Sequence, residues 1–502
     1  MTQNRSVLIL ISLCSAHALF AQSSAATLPL SGRGAESGSV TPSQTPIPGT
    51  TSSVNALNTN ISVQGPFTGS RAGAPFSGKL SLSDAIHRAL EYNLGGVGLG
   101  TAVQQARGQS RVSRSALLPN VNAALREAVQ QTNLRAEGIR INVPIRGFAF
   151  PTIVGPFNYF DLRATLTQSV ADMTAIGNYR AAREVVRADE QSIQDARDLI
   201  VLAAGGAYLQ AVAARARVES AKAQLETATA LYKQTEDRHQ SGLVAQIDVS
   251  TSLVQQQTQK QRLATLENDF AKQKINLARI AGIPPNDHYE LTDDIPFAPA
   301  PAGTVDEDLA KAFNARSDLK AAEAQLRAAE QARNAARAER LPSLALSADY
   351  GAIGVNPSQS HGTFTVVGTL KVPIWQGGKT EGDIQQADAV LLQRRAELED
   401  TKGRIESDVR NAFLDLEAAS SQVELSRANQ KVARETLGLT QQKYDAGVSD
   451  SLEVVQAQES VASSDLDYIS SLFAHNLAKL SLARAVGHAL ENLPAYLSFQ
   501  KP

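Results

Sequence analysis

Histidine, cysteine and carboxylate are the side chains that most often carry chemistry, and in this chain they are dispersed. The seven histidines, His17, His87, His239, His288, His361, His475 and His488, stand at separations that suit no metal-ligand set, and the single cysteine, Cys14, lies near the start. No glycine-rich phosphate loop follows a strand pattern, and no Gly-x-Ser-x-Gly elbow appears. No catalytic residue, cofactor or metal site is therefore expected. What the polar residues do offer is electrostatics at helix ends. Asp450 stands where an N-cap belongs, with Glu453 three residues on as in a capping pair. Asp248 stands where a negative charge favours a helix N-terminus.

These acidic residues follow two breaks, Gly242-Leu243-Val244 and Gly447-Val448-Ser449, set 205 residues apart. Each break comes after about 65 residues of Ala-, Gln-, Glu- and Arg-rich helical pattern and before about 35 more, so the chain runs out, reverses and returns. Leu199 to Gly282 aligns with Arg404 to Gly487 without a gap, with 17 identities in 84 positions. The identities include Gly242 on Gly447, Val249 on Val454, Arg279 on Arg484 and Gly282 on Gly487. Upstream, Leu118-Pro119 matches Leu341-Pro342. The chain reads as one unit duplicated.

Composition supports long helices over a bulky core. Aromatic residues make up only 5% and Trp occurs once, a mixture that suits helices packed through small side chains. Formal net charge is −2 without a Lys/Arg block, which argues against nucleic acid as a partner. Residues 1–21 read as a secretory signal, with Arg5, an apolar run from Val7 to Phe20, and Ala21 before the cut. Leu13 before Cys14 argues against lipidation, so the mature chain has no thiol. Residues 22–79, rich in Ser, Thr, Pro and Gly, read as a flexible leader. The first repeat spans 80–302, the second 303–490, and 491–502 form a tail.

Each repeat should open with two helices. In the first, Ser83 or Asp84 caps a helix through Tyr92, and a second runs from Gly100 to Leu117 before Pro119. In the second, Asp306 to Ala315 and Asp318 to Arg340 precede Pro342. After each proline the period changes to two. Val121, Ala123, Leu125 and Val129, then Phe160, Leu162, Ala164 and Leu166, alternate with polar residues, as do Leu344, Leu346, Ala348 and Tyr350, then Phe364, Val366, Leu370 and Val372. A soluble sheet with one covered face is the commoner source of such alternation. The helices here are too Ala/Gln-rich to cover one, so a lipid-facing barrel wall with a wet lumen fits better. Phe157, Tyr159, Tyr350 and Phe364 are expected at one interfacial level and Trp375 at the other. The longer connection in the first half, with Pro144, Gly147, Phe148, Phe150, Pro151, Gly155 and Pro156, reads as an extracellular loop.

Four strands are too few to close a barrel, and an open edge in lipid leaves backbone groups unpaired. Two copies would give a filled eight-stranded barrel and three a twelve-stranded one with room for a channel, so a trimer is the economical expectation. Unbroken helical pattern from Thr174 to Ser241 and from Thr380 to Ala446 predicts spans of roughly 100 Å each. Apolar residues recur at heptad-like spacing, Val409, Phe413, Leu416 and Val423 going out and Leu263, Leu266, Phe270 and Leu277 coming back. Leu199 to Ala214 is free of charge but too short to span a bilayer, and its repeat partner Arg404 to Ala419 is heavily charged. A coiled-coil rod alone leaves the paired strand blocks unexplained.

The order and doubling of these pieces resemble the TolC-like outer-membrane efflux proteins. The motifs are Gly242-Leu-Val-Ala-Gln-Ile-Asp248-Val249, Tyr444-Asp-Ala-Gly-Val-Ser-Asp-Ser-Leu-Glu453-Val454, and Val372-Pro-Ile-Trp-Gln-Gly-Gly378 leading into helix. The resemblance, covering about Leu80 to Gly487, implies a mainly α fold with β: a long periplasmic α-helical barrel, and four strands per chain in a trimeric twelve-stranded outer-membrane β-barrel. It implies a homotrimer in outer-membrane lipid, served by a periplasmic adaptor protein and an inner-membrane pump. The duct itself would be passive, in efflux or type I secretion.

By the same resemblance the closed periplasmic tip is held by polar contacts and lumenal acids. Asp248 and Tyr444 would meet across the hairpins, Glu453 would take the first acidic lumen position, and Gln456 stands at the second. Ser449 occupies a position where some members carry an arginine lock, so a weaker gate is implied. The turns Gly242, Leu243, Val244, Gly447, Val448 and Ser449 would dock the adaptor, although glycine suits a sharp reversal in any case. The competing reading is a periplasmic structural or adaptor-like coiled-coil protein, soluble without detergent.

Overall fold

The computed structural model describes residues 66–71, 73–138, 151–294, 297–299 and 303–491. The expected signal segment, most of the expected leader, residues 492–502 and Pro144, Gly147, Phe148 and Phe150 of the expected loop lie outside the described residues.

Each half follows the same course. Helices α1 (Leu82–Tyr92) and α2 (Leu94–Ser115) lead to strands β2 (Asn120–Asn133) and β3 (Ile153–Ala171), then to the long helix α3 (Met173–Gln240) and the returning α4 (Gln246–Ala281). The second half repeats this as α5 (Val305–Ala315), α6 (Ser317–Ala338), β5 (Ser343–Gly354), β6 (His361–Lys371), α7 (Lys379–Asp445) and α8 (Ser451–Val486). The short helices begin at capping boxes, Ser81 with Asp84 and Thr304 with Glu307, slightly earlier than the apolar pattern suggests.

Residues 66–79, expected within the leader, belong in part to the folded body. Phe67 is buried, and Asn93 donates to its carbonyl oxygen at 2.6 Å. The Phe76 amide donates to Asp287 at 2.7 Å, and a strand β1 (Gly78–Leu80) pairs in parallel with β4 (Tyr289–Leu291). One buried aromatic and a few long-range hydrogen bonds order this stretch, which its average composition conceals.

The four long strands form one antiparallel sheet in the order β2-β3-β5-β6. Its register gathers the apolar set of every strand onto one face. Val121 lies opposite Leu166 and Leu125 opposite Leu162, while Ala164 lies opposite Tyr350, itself opposite Phe364; Ala348 faces Val366 and Leu344 faces Leu370. On the other face Arg163 pairs with Asp161 and Asp349. β3 takes in Gly155 and Pro156, which the sequence reading places in a loop. The aromatic residues do not share one level either. Tyr350 and Phe364 sit level with Ala164, about seven residues and roughly 23 Å along β3 from Phe157.

The two long hairpins lie side by side. The charge-free stretch Leu199–Ala214, Tyr208 included, is core, buried with Leu277, Ile280 and Leu480. A second cluster takes up the heptad-like positions Val409 and Leu416, with Phe413 packed against it. Arg316, itself buried, bridges Asp318 and Asp408, and Arg484 bridges Asp408 and Asp195, tying the halves at this level.

Candidate functional site

The two helix reversals are built alike. Gly242 (φ 73°) and Gly447 (φ 72°) take the left-handed conformation after α3 and α7. The Leu243 amide returns to the Arg238 carbonyl at 2.9 Å and the Val448 amide to the Lys443 carbonyl at 3.0 Å, closing orphan carbonyls of each last turn. Leu243 and Val448 are left 74% and 78% exposed at the very tip. The return helix α8 starts from Asp450, whose carboxylate accepts from the Glu453 amide at 3.1 Å.

Just above the turns the hairpins are stitched together. The buried Tyr444 hydroxyl lies 3.2 Å from that of buried Thr235. Arg238 donates to the Tyr444 carbonyl at 2.9 Å and to the Asp445 carboxylate at 3.0 Å, and its guanidinium lies 4.5 Å from the Tyr444 ring centroid. Gln234 donates to the same Asp445 oxygen at 2.7 Å. Leu231 and Val454 complete a small apolar cluster around the tyrosine. Asp248 and Tyr444, expected to meet, are separately engaged: Asp248 accepts from Ser451 at 2.8 Å. The Glu453 carboxylate accepts from Ser449 at 2.7 Å in its own turn, and Gln456 is exposed one helical turn farther on.

A second polar tier lies farther from the tip. Glu459 accepts from Gln255 at 3.0 Å, Gln259 at 2.7 Å and Arg262 at 3.4 Å, all on α4. Asp465 accepts from Ser220 at 3.2 Å and from Gln430 and Arg434 at 2.8 Å each, joining α3, α7 and α8. Neither this tier nor Thr235, Gln234, Arg238 and Asp445 stands out in the sequence, where they look like surface residues of helices. The repeat offers one signal, because Arg238 aligns with Lys443, a cation at the end of each long helix.

Two hairpins about 100 Å long, joined to a four-stranded sheet with one apolar face on which no helix packs among the described residues, have the make-up of an outer-membrane channel component. Comparison with known proteins agrees. Residues 100–283 and 309–488 match the family described as outer membrane efflux protein. The pyoverdine export outer membrane protein OpmQ of Pseudomonas putida is 25% identical over 401 residues, 77% of this chain and 81% of that one. Outer membrane protein OprJ of Pseudomonas aeruginosa is 25% identical over 404 residues, 77% of this chain and 79% of that one. In fold, the outer membrane protein VceC of Vibrio cholerae superposes with a TM-score of 0.68 at 19% identity, over 81% of this chain and 96% of that one. The chain belongs to the outer membrane efflux protein family, and its place is the outer membrane, with the helical hairpins in the periplasm.

Proposed function

We propose that three copies assemble into a passive outer-membrane exit duct, coupled through a periplasmic adaptor to an inner-membrane pump in efflux or type I secretion. The observation that carries this reading is the sheet. Its apolar face is continuous over four strands, and among the described residues β2 and β6 each pair on one side only. In lipid such edges must find partners, and identical copies supply β2 for β6 around a closed twelve-stranded wall. The same exposed apolar face weighs against a soluble periplasmic rod.

At the other end, the contacts among Thr235, Arg238, Tyr444, Asp445, Asp248 and Ser451 hold the two hairpin tips together and act as the gate. Glu453 and Gln456 face the lumen in this reading. The protruding Leu243 and Val448, with Gly242, Val244, Gly447 and Ser449, give the adaptor its apolar seat. The test is the mass of the detergent-solubilised protein together with conductance in planar bilayers. A trimer that conducts supports the duct; a monomer that stays in plain buffer and conducts nothing rejects it.

A further inference from the structure

A shift of 205 positions carries the first hairpin onto the second. The seam between the two hairpins of one chain therefore has an image, the seam between the second hairpin of one copy and the first of the next. We propose that copies of this chain close their ring through that image seam, with an ion pair between Asp400 of one copy and Arg279 of the next in place of the internal pair Asp195–Arg484. This rests on the trimer reading above and supplies its contact map.

The positions concerned are buried or paired where the internal seam covers them and open where its image falls. Leu480, 0% exposed, packs against Gly205 so closely that a Cβ there would lie 2.6 Å from its Cδ2. Its image Ile275 is 57% exposed, and the image of Gly205 is Arg410, so the close approach at Gly205 is not repeated in the image seam. Arg484 and Asp195 lie 3.5 Å apart with side chains only 11% and 24% exposed. Their images, Arg279 and Asp400, are both exposed, and among the described residues Arg279 forms no ion pair while Asp400 touches only Arg404 on its own helix. The charges match only if α7 of one copy meets α4 of the next, as α3 meets α8 within a chain.

Three further internal contacts have chemically complementary images. Ser451 donating to Asp248 at 2.8 Å becomes the Gln246 amide facing the Glu453 carboxylate. Arg217 donating to Ser470 at 3.2 Å becomes Gln422 facing Thr265. Thr235 beside the Tyr444 hydroxyl at 3.2 Å becomes Thr440 beside the His239 ring. That ring is already oriented, since its Nδ1 lies 2.9 Å from the Val244 carbonyl and Nε2 is left for a partner. The Glu459 cluster has no such image. Val254, 65% exposed, stands in place of Glu459, and Ser460, Ser464 and Asp467 stand in place of its three donors, so no such carboxylate cluster forms in the image seam.

The mature protein in detergent tests this directly, because the only cysteine, Cys14, lies in the stretch read as a secretory signal. Thr265→Cys with Gln422→Cys, treated with a short bis-maleimide, should give dimer and trimer bands on a denaturing gel that neither single variant gives. Asp400→Arg should lower the thermal midpoint of the trimer, and adding Arg279→Asp should restore it. A protein of trimer mass that shows neither the bands nor the rescue overturns this seam and leaves the trimer standing. A monomer in detergent overturns the trimer reading and the seam with it.

Discussion

Asp248 and Glu453 occupy the same position in the two halves, yet they accept hydrogen bonds from opposite directions. Asp248 takes Ser451 of the other hairpin at 2.8 Å, and Glu453 takes Ser449 of its own turn at 2.7 Å. Only the first ties the hairpins together. If the tip is the gate, Asp248→Ala should therefore raise single-channel conductance more than Glu453→Gln does. Arg238→Ala should exceed both, because it removes bonds to the Tyr444 carbonyl and the Asp445 carboxylate and the cation above the Tyr444 ring. Each charge-assisted bond is worth on the order of 1–2 kcal/mol. Tyr444→Phe loses only the Thr235 hydroxyl contact and should be the mildest change in that cluster. Equal conductance in all four variants would remove the tip contacts from the gate.

Three glycines in the left-handed region separate backbone strain from steric clash. Gly242 (φ 73°) and Gly447 (φ 72°) have open space where a Cβ would stand. Alanine at either should cost only the conformational penalty, about 1–2 kcal/mol. Gly282 (φ 69°), which closes α4, would in addition place a Cβ 2.5 Å from that of Tyr92. Gly282→Ala should then cost on the order of 3 kcal/mol or more, since neighbouring backbone must move. Thermal unfolding followed by circular dichroism ranks the three, and a Gly282 variant no worse than the Gly242 variant would contradict the packing described.

The periodic parts of this fold could be read from the sequence, because a long helix and an amphipathic strand each advertise themselves over many residues. The duplication and both reversals at Gly242 and Gly447 were legible for the same reason. What stayed hidden depends on single long-range contacts. Phe67 anchors a polar stretch, β1 and β4 are too short for a pattern, and Gly155 and Pro156 sit inside a strand despite their turn chemistry. At the tip, Tyr444 and Asp248 are each at the seam, but their partners Thr235 and Ser451 depend on how two hairpins twist round one another. No spacing along the chain encodes that twist.

His475 sets a pH dependence. It is fully buried beside Phe297, neither ring nitrogen has a hydrogen-bond partner among the described residues, and burial, with the nearby Lys479 ammonium, lowers its pKa to about 4. Unfolding restores the ordinary value of 6.5, so between about pH 4 and 6.5 the unfolded chain binds the extra proton. Stability should fall as pH drops through that window, by on the order of 2 kcal/mol once screening is allowed for. The aligned residue in the first half is Phe270, which makes His475→Phe the natural replacement. That variant should flatten the acid side of the stability profile. An unchanged slope between pH 4 and 6.5 would show that the proton is taken up elsewhere.

Lipid contact makes its own prediction at two neighbouring residues of β6. Val366 and Thr365 are both exposed in the single chain, so exposure alone treats lysine at either position as harmless. They point to opposite faces of the sheet, however. Val366 lies opposite Ala348 on the apolar face, and Thr365 lies opposite Asp349, the partner of Arg163, on the polar one. If the apolar face meets lipid, Val366→Lys should cost roughly 2–4 kcal/mol near the bilayer midplane. Thr365→Lys should be nearly neutral, since its ammonium enters a wet lumen beside a carboxylate. Urea titration in lipid vesicles measures both. Equal midpoints would mean that the apolar face meets water, because water and lumen offer lysine the same welcome and only hydrocarbon distinguishes the two sides.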